Sequence, residues 1–179
     1  PRTATMRAIQ GPRLKGAEAK EHRLAYYAYV AGEKEPTIAV IQDLDPNPGI
    51  GAMWGEVNTA VHRGLGCLGC ITNGSIRDLD AVDPRFQLLA GMLGPSPADV
   101  HVESFEVPVN IQGMPVDHGD LIHADRHGAV VIPRDRAAEV PAAIDLCVRR
   151  EEPIRKAARA EGFNVQKLRE AMGTAADIH

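Results

Sequence analysis

The 179-residue sequence predicts an α/β fold, and three features of the chain predict it. A β-branched run at Thr37–Asp43, a helical apolar face from Ala52 to about Arg63 and a second apolar run from Gly66 to Asn73 make a strand–helix–strand unit. The stretch from Pro84 to Ile132 reads as further strands, and the chain from Asp135 onward returns to helix. A βαβ unit joins parallel strands through a right-handed crossover, which neither a bundle nor a sandwich contains.

Thr37 opens the first well-defined element. Its strand stops in Asp45-Pro46-Asn47-Pro48-Gly49, a cluster of turn formers. Beyond it Met53, Val57, Ala60 and Val61 are spaced as one helix face, and Gly64 and Gly66 supply the stop. Glycine bounds the run from Gly66 to Asn73. Phe86 to Met92 is another apolar segment, and Val100 to Ile111 alternates with one slip near Glu103-Ser104, where a β-bulge is expected. Two apolar runs within Leu121 to Ile132 flank Asp125-Arg126-His127-Gly128, the mark of a hairpin. Asp135 is the expected N-cap of the next helix, whose apolar face is Val140, Ile144, Cys147 and Val148. Arg149-Arg150-Glu151-Glu152 reads as a solvated helix face, and Asn164 caps a last helix through Val165, Leu168 and Met172. Residues 1–150 are expected to form one domain, with 151–179 its helical extension.

Composition narrows function by exclusion. With 20 Lys+Arg against 24 Asp+Glu the net charge is −4, so a basic nucleic-acid surface is not the main activity. Hydrophobic residues at 44% and charged residues at 25% exclude a disordered or collagen-like chain. No window approaches a membrane span, and Pro1 to Gly11 lacks the apolar core of a signal peptide. Three cysteines cannot make a paired disulfide framework, so a cytoplasmic protein with no membrane partner is expected.

Several motifs are candidates for chemistry. Gly49-Ile50-Gly51 lies between a strand and a helix, but Trp54 stands where a dinucleotide fingerprint needs glycine. What remains is either a turn without a ligand or a glycine-rich approach to a helix N-terminus suited to a carboxylate or phosphate. Cys67 and Cys70 have C-x-x-C spacing but fall in a strand, where residues three apart face opposite ways, and no second pair exists for zinc. They are read as buried and structural. Arg77-Asp78 follows directly on the second parallel strand, the end of an open sheet where ligands bind. An Arg there can fork onto a carboxylate and an Asp can hold Mg²⁺ or Mn²⁺; the plainer alternative is a surface ion pair. His118, His123 and His127 match no ligand spacing, while His62 and His101 are further candidates to line a site.

These residues resemble a known family. Gly51-Ala52-Met53-Trp54-Gly55-Glu56, Arg63-Gly64-Leu65-Gly66-Cys67-Leu68-Gly69, Asn73-Gly74-Ser75-Ile76-Arg77-Asp78 and Gly119 to Pro133 follow, in order, the signature of the RraA-like proteins, which include the 4-hydroxy-4-methyl-2-oxoglutarate aldolases. The likeness runs from about Lys15 to Arg155. It implies a swivelling β/β/α domain assembled as a homotrimer or homohexamer, with active sites at subunit interfaces. It also implies a metal-dependent lyase that cleaves a 4-hydroxy-2-oxo acid to pyruvate, with oxaloacetate decarboxylation alongside. Carried over by position, Asp78 would ligate Mg²⁺ or Mn²⁺ and Arg77 would grip the oxo-acid and its enolate. The backbone amides of Gly51, Ala52, Met53, Trp54 and Gly55 would bind the substrate carboxylate, and Glu56 would orient water. Glu151 and Glu152 are candidates for an acid reaching in from a neighbouring subunit. His118 departs from the family's usual proline. The family also contains regulators that bind ribonuclease E without this chemistry, which leaves a binding protein as the second reading.

Overall fold

The computed structural model describes residues 1–32 and 36–179 and places a six-stranded sheet at the centre of the first of two units, Pro1–Ile132 and Pro133–His179. The sheet contains β1 (Arg2–Arg7), β2 (Thr37–Asp43), β3 (Ala52–Trp54), β4 (Cys67–Ile76), β5 (Gln87–Leu93) and β6 (His101–Phe105). Two helices, α1 (Gly16–Ala31) and α2 (Glu56–Gly64), join its strands. The strand order is β3-β4-β2-β1-β6, with β5 also on β4; every pairing is parallel except β1 with β6. The expected βαβ unit is present as β2, α2 and β4. Gly66 at φ +91 turns the chain from α2 into β4, a conformation that glycine adopts without Cβ strain.

The sheet separates two apolar clusters. On one side Ala39 and Ile41 pack with Met6, Tyr26, Val30 and Trp54. On the other Val40 and Ile71 pack with Val109, Ile111 and Val116. These last come from β7 (Val109–Ile111) and β8 (Met114–Val116), and the expected hairpin of β9 (Leu121–Asp125) and β10 (Gly128–Ile132) adds Ile122 and Val131 to that side. The slip at Glu103-Ser104 is a β-bulge: Thr5 pairs with Ser104 and Met6 with Val102, leaving Glu103 as the extra residue.

Four expectations about this unit are corrected. The helix does not begin at Ala52, because Ala52–Trp54 is drawn into the sheet against Ser75 and Ile76 and α2 starts only after Gly55. Nor is its apolar stripe the buried one: Val57 is 68% exposed, whereas Thr59 and His62 are fully buried. Those two are buried at low cost because each is hydrogen-bonded, Thr59 Oγ1 to Gly55 O at 2.9 Å and His62 to Tyr26 and Asn58. Cys67 and Cys70 face the same cluster, not opposite sides, because three steps along β4 match two along β2 (Cys67 with Thr37, Cys70 with Ala39) and the irregularity restores the parity. The segment before Thr37 carries β1 and α1. The latter has no clean apolar stripe to mark it, burying only Tyr26 and Val30.

The second unit is helical, with α3 (Val140–Ala158) packed against α4 (Val165–Ala176). Asp135 does not cap α3. It lies in a 3-10 helix, Arg134–Glu139, and Pro141 occupies the first turn of α3, where its missing N–H costs nothing. Residue 150, the expected domain boundary, falls inside α3. Asn164 does cap α4, its side chain accepting from Lys167 N at 3.0 Å. The charged run is solvated as expected, with Arg149 paired to Asp145 at 2.9 Å and Arg155 to Glu152 at 2.8 Å. Among the described residues no helix is long and apolar enough to cross a membrane.

Candidate functional site

Parallel pairing sends the ends of β2 and β4 to the same edge of the sheet, and α2 begins there. Arg77 and Asp78 follow the last residue of β4. The Arg77 N–H donates to Trp54 O at 2.8 Å, extending the β3–β4 ladder by one bond and fixing where the Arg77 side chain departs. Its guanidinium donates through Nη1 to Ala52 O and lies with Nε 3.2 Å from Asp78 Oδ2. Asp78 takes φ +56, an uncommon conformation that a short polar residue tolerates. Its Oδ2 also receives the Glu56 N–H at 3.3 Å, so the carboxylate lies against the N-terminal turn of α2, where the helix dipole favours a negative charge. Neither contact engages Asp78 Oδ1.

Gly55 makes this geometry possible. A Cβ at that position would lie 2.5 Å from Asp78 Oδ2 and 3.0 Å from Arg77 Cγ. The Arg77 side chain is 22% exposed and that of Asp78 40%, so the pair is anchored from below and open above. Glu56, the first residue of α2, is exposed beside it.

The structure brings Gly51, Gly55, Glu56, Arg77 and Asp78 to one edge, but it changes what the residues between them offer. The Ala52 N–H donates to Ser96 O at 2.8 Å and is not free for a ligand. The Met53 and Trp54 side chains are buried; Trp54 packs against His62 and Phe86 with ring centroids 4.6 and 5.3 Å away. His62 is a core residue. Its Nδ1 faces Asn58 O at 2.7 Å and therefore carries the proton, leaving Nε2 to accept from the Tyr26 hydroxyl at 2.8 Å. Burial pushes its pKa down to about 4. His118 is held through Nδ1 by the Tyr29 hydroxyl at 2.8 Å.

A brace of buried carboxylates behind the site was not anticipated. Asp43 accepts from Asp45 N at 2.9 Å and Gly49 N at 2.8 Å, and Asp45 accepts from Ala8 N and Ile9 N at 2.8 and 2.9 Å. These bonds close the loop after β2 on itself and pin it to the residues that follow β1. The sequence signal was Asp43-x-Asp45 ahead of Pro-Asn-Pro-Gly, since Asp in turns bonds nearby backbone.

Among the described residues no three His, Cys, Asp or Glu side chains converge as a metal centre. A zinc-type cage needs three or four such protein ligands. A hard cation such as Mg²⁺ keeps most of its waters and is held by one or two carboxylates, so Asp78 with its unengaged Oδ1, and Glu56 beside it, fits that class.

A model of the RraA-like family (Aldolase/RraA) matches residues 4–131, more than half of the chain. Protein DlpA of Legionella pneumophila is 30% identical over 123 residues, 66% of this chain but 20% of its own length, so the chain spans about a fifth of that relative. A structure described as one of novel cellulases from gut-associated microbes superposes with a TM-score of 0.64 at 20% identity, covering 86% of this chain and 66% of that one. RraAS2 of Streptomyces coelicolor, described as an unusual member of the RNase ES inhibitor RraA protein family, gives 0.57 at 23% identity, covering 80% and 70%. At such identities the structures share the fold. By its mixed sheet, its C-terminal helices and the family match, this chain belongs to the RraA-like (Aldolase/RraA) family, whose members include metal-dependent aldolases and RNase E inhibitors.

Proposed function

We propose that the chain is a divalent-metal-dependent lyase that cleaves a 4-hydroxy-2-oxo acid, such as 4-hydroxy-4-methyl-2-oxoglutarate, to pyruvate, and that it also decarboxylates oxaloacetate. The observation that carries the reading is the Arg77–Asp78 pair over Gly55, where a glycine gives up its side chain so that a cation and a carboxylate lie 3.2 Å apart at an open sheet edge. Asp78, through its unengaged oxygen, would hold Mg²⁺ or Mn²⁺, and Glu56 would orient water at that ion. That ion, when bound, polarises the keto oxygen as a Lewis acid. Arg77 is anchored by Ala52 O and Asp78, so its remaining N–H groups meet the oxo-acid without reorganisation and stabilise negative charge as it develops. The substrate carboxylate lies toward the N-terminus of α2, with backbone N–H donors drawn from Gly51, Met53 and Gly55; Ala52, bonded to Ser96 O, and Trp54, paired with β4, drop out of that set.

The test is pyruvate release from a panel of oxo-acids with and without Mg²⁺ or Mn²⁺. Turnover that needs the metal supports the reading. No release from any oxo-acid, together with binding to a ribonuclease E-type partner, favours the regulatory alternative.

A homotrimer or homohexamer belongs to the same proposal. Around the site Ile50, Val57, Leu79 and Leu93 are 52%, 68%, 49% and 65% exposed, an apolar surround that a second copy would cover. Light scattering should give a mass that is a multiple of three chains of 19.3 kDa. A clean monomer would sink this part of the proposal.

A further inference from the structure

A second cleft lies in the Pro1–Ile132 unit, and neither Arg77, Asp78 nor Glu56 lines it. It encloses about 520 Å³ between α1, the start of β6 and the first turn of α2, a size usual for small-molecule sites. Gly16, Ala19, Lys20, Arg23, Tyr26 and Tyr27 recur at helical spacing, so one whole face of α1 forms a wall. The floor is apolar and well anchored. Tyr26 and Met53 are 1% and 4% exposed, and the Tyr27 hydroxyl donates to Asn58 Oδ1 at 3.1 Å.

Its rim is cationic. Arg13, Lys20 and Arg23 all line the cleft, and among the described residues none of the three forms an ion pair or hydrogen bond. Glu103, the only carboxylate in the lining, is already occupied: His101 Nε2 is 3.0 Å away and Arg7 Nε 3.9 Å. Lys20 and Arg23 repel each other across one helical turn, and the first turn of α1 has no side-chain cap. Among the described residues three cations therefore stand around an apolar floor, with Glu103 the one carboxylate in the lining.

We propose that this cleft binds a small organic anion carrying at least two negative charges on an apolar or planar body, a polycarboxylate or a nucleotide, independently of any chemistry at Arg77 and Asp78. A bare inorganic anion would leave the tyrosine and methionine floor unused.

The test is isothermal titration calorimetry of the whole chain in metal-free, low-salt buffer, with citrate and ATP as probes and sulfate as the control. At least one organic probe should bind with Kd below about 1 mM and weaken as salt is added, with sulfate about tenfold weaker or more. Citrate alone would identify the polycarboxylate source and ATP alone the nucleotide source. The double variant Lys20→Glu/Arg23→Glu should lose about tenfold or more, whereas Arg77→Lys should leave the affinity within about twofold. Should the double reversal fail to fold by circular dichroism, Arg23→Gln alone should still weaken binding about threefold or more. The proposal is overturned if neither organic probe binds below that limit, if sulfate binds equally well, or if the folded cleft variants keep full affinity. Loss of binding in Arg77→Lys would also overturn it, by assigning the anion to the other site. Absence of pyruvate release would leave it standing, so its failure and that of the lyase reading are separable.

Discussion

The two halves of β4 belong to one continuous strand and do opposite things. Its first half carries Cys67 and Cys70, both buried in one cluster with Ala39, Tyr26 and Phe86, and burial pushes both thiols up, away from the reactive thiolate. Its far end delivers Arg77 and Asp78 to an edge where each keeps one side to solvent. The difference comes from what covers the strand: helices close over the first half, while at the far end the glycine before α2 leaves a gap of one methyl group. Reactive residue types therefore say less than the position where the strand emerges.

The open end is where the largest effects are expected. Asp78→Asn keeps the shape but removes the charge that would hold a hard cation, so metal affinity and turnover should fall together. Arg77→Lys keeps the charge but loses the planar fork, so the metal should still bind while turnover drops on the order of 10²–10³-fold. Pyruvate release measured beside metal titration separates the two, and near-normal turnover in both would assign the chemistry elsewhere. Gly55→Ala tests the gap itself. With its methyl 2.5 Å from Asp78 Oδ2, the carboxylate must move, and turnover should fall on the order of 10²-fold with little change in melting temperature. A variant of full activity would show that the close approach is incidental.

The closed layer should reveal itself through pH rather than turnover. His62 is neutral in the fold with a pKa of about 4, against 6.5 for the free side chain. Between those values the unfolded chain binds the extra proton, so stability is fully present above 6.5 and is lost as pH falls toward 4, by about 3 kcal/mol. Denaturant unfolding at neutral pH and near the lower limit measures that slope, and His62→Gln should flatten it. An unchanged acid limb in that variant would mean that other groups set it.

The smallest effect is expected at the cysteines. Replacing Cys67 and Cys70 together with Ala or Val should cost about 1–3 kcal/mol of stability and leave metal-dependent turnover intact. Loss of bound metal in the double variant would overturn the contrast between the two halves of the strand.

Much of this was legible in the chain. The β-branched run at Thr37–Asp43, the hairpin around Asp125–Gly128, the bulge at Glu103 and the Asn164 cap each rest on local chemistry that neighbouring residues decide: branched side chains on a pleat, turn formers, a break in alternation, an Asn oxygen three residues from a free N–H. The ordered glycines and Arg77-Asp78 likewise pointed to the family and to the candidate pair. Tertiary structure decided the remainder. Ala52–Trp54 became a strand because β4 offered Ser75 and Ile76 as partners, which no local pattern encodes. The polar face of α2 turned inward because Tyr26, from a helix more than thirty residues earlier, supplied the hydroxyl that His62 needs. An irregularity in pairing with β2 put both cysteines on one side. Local sequence sets which conformations are inexpensive, whereas burial and the pairing of distant polar groups choose among them, and those depend on partners far away in the chain.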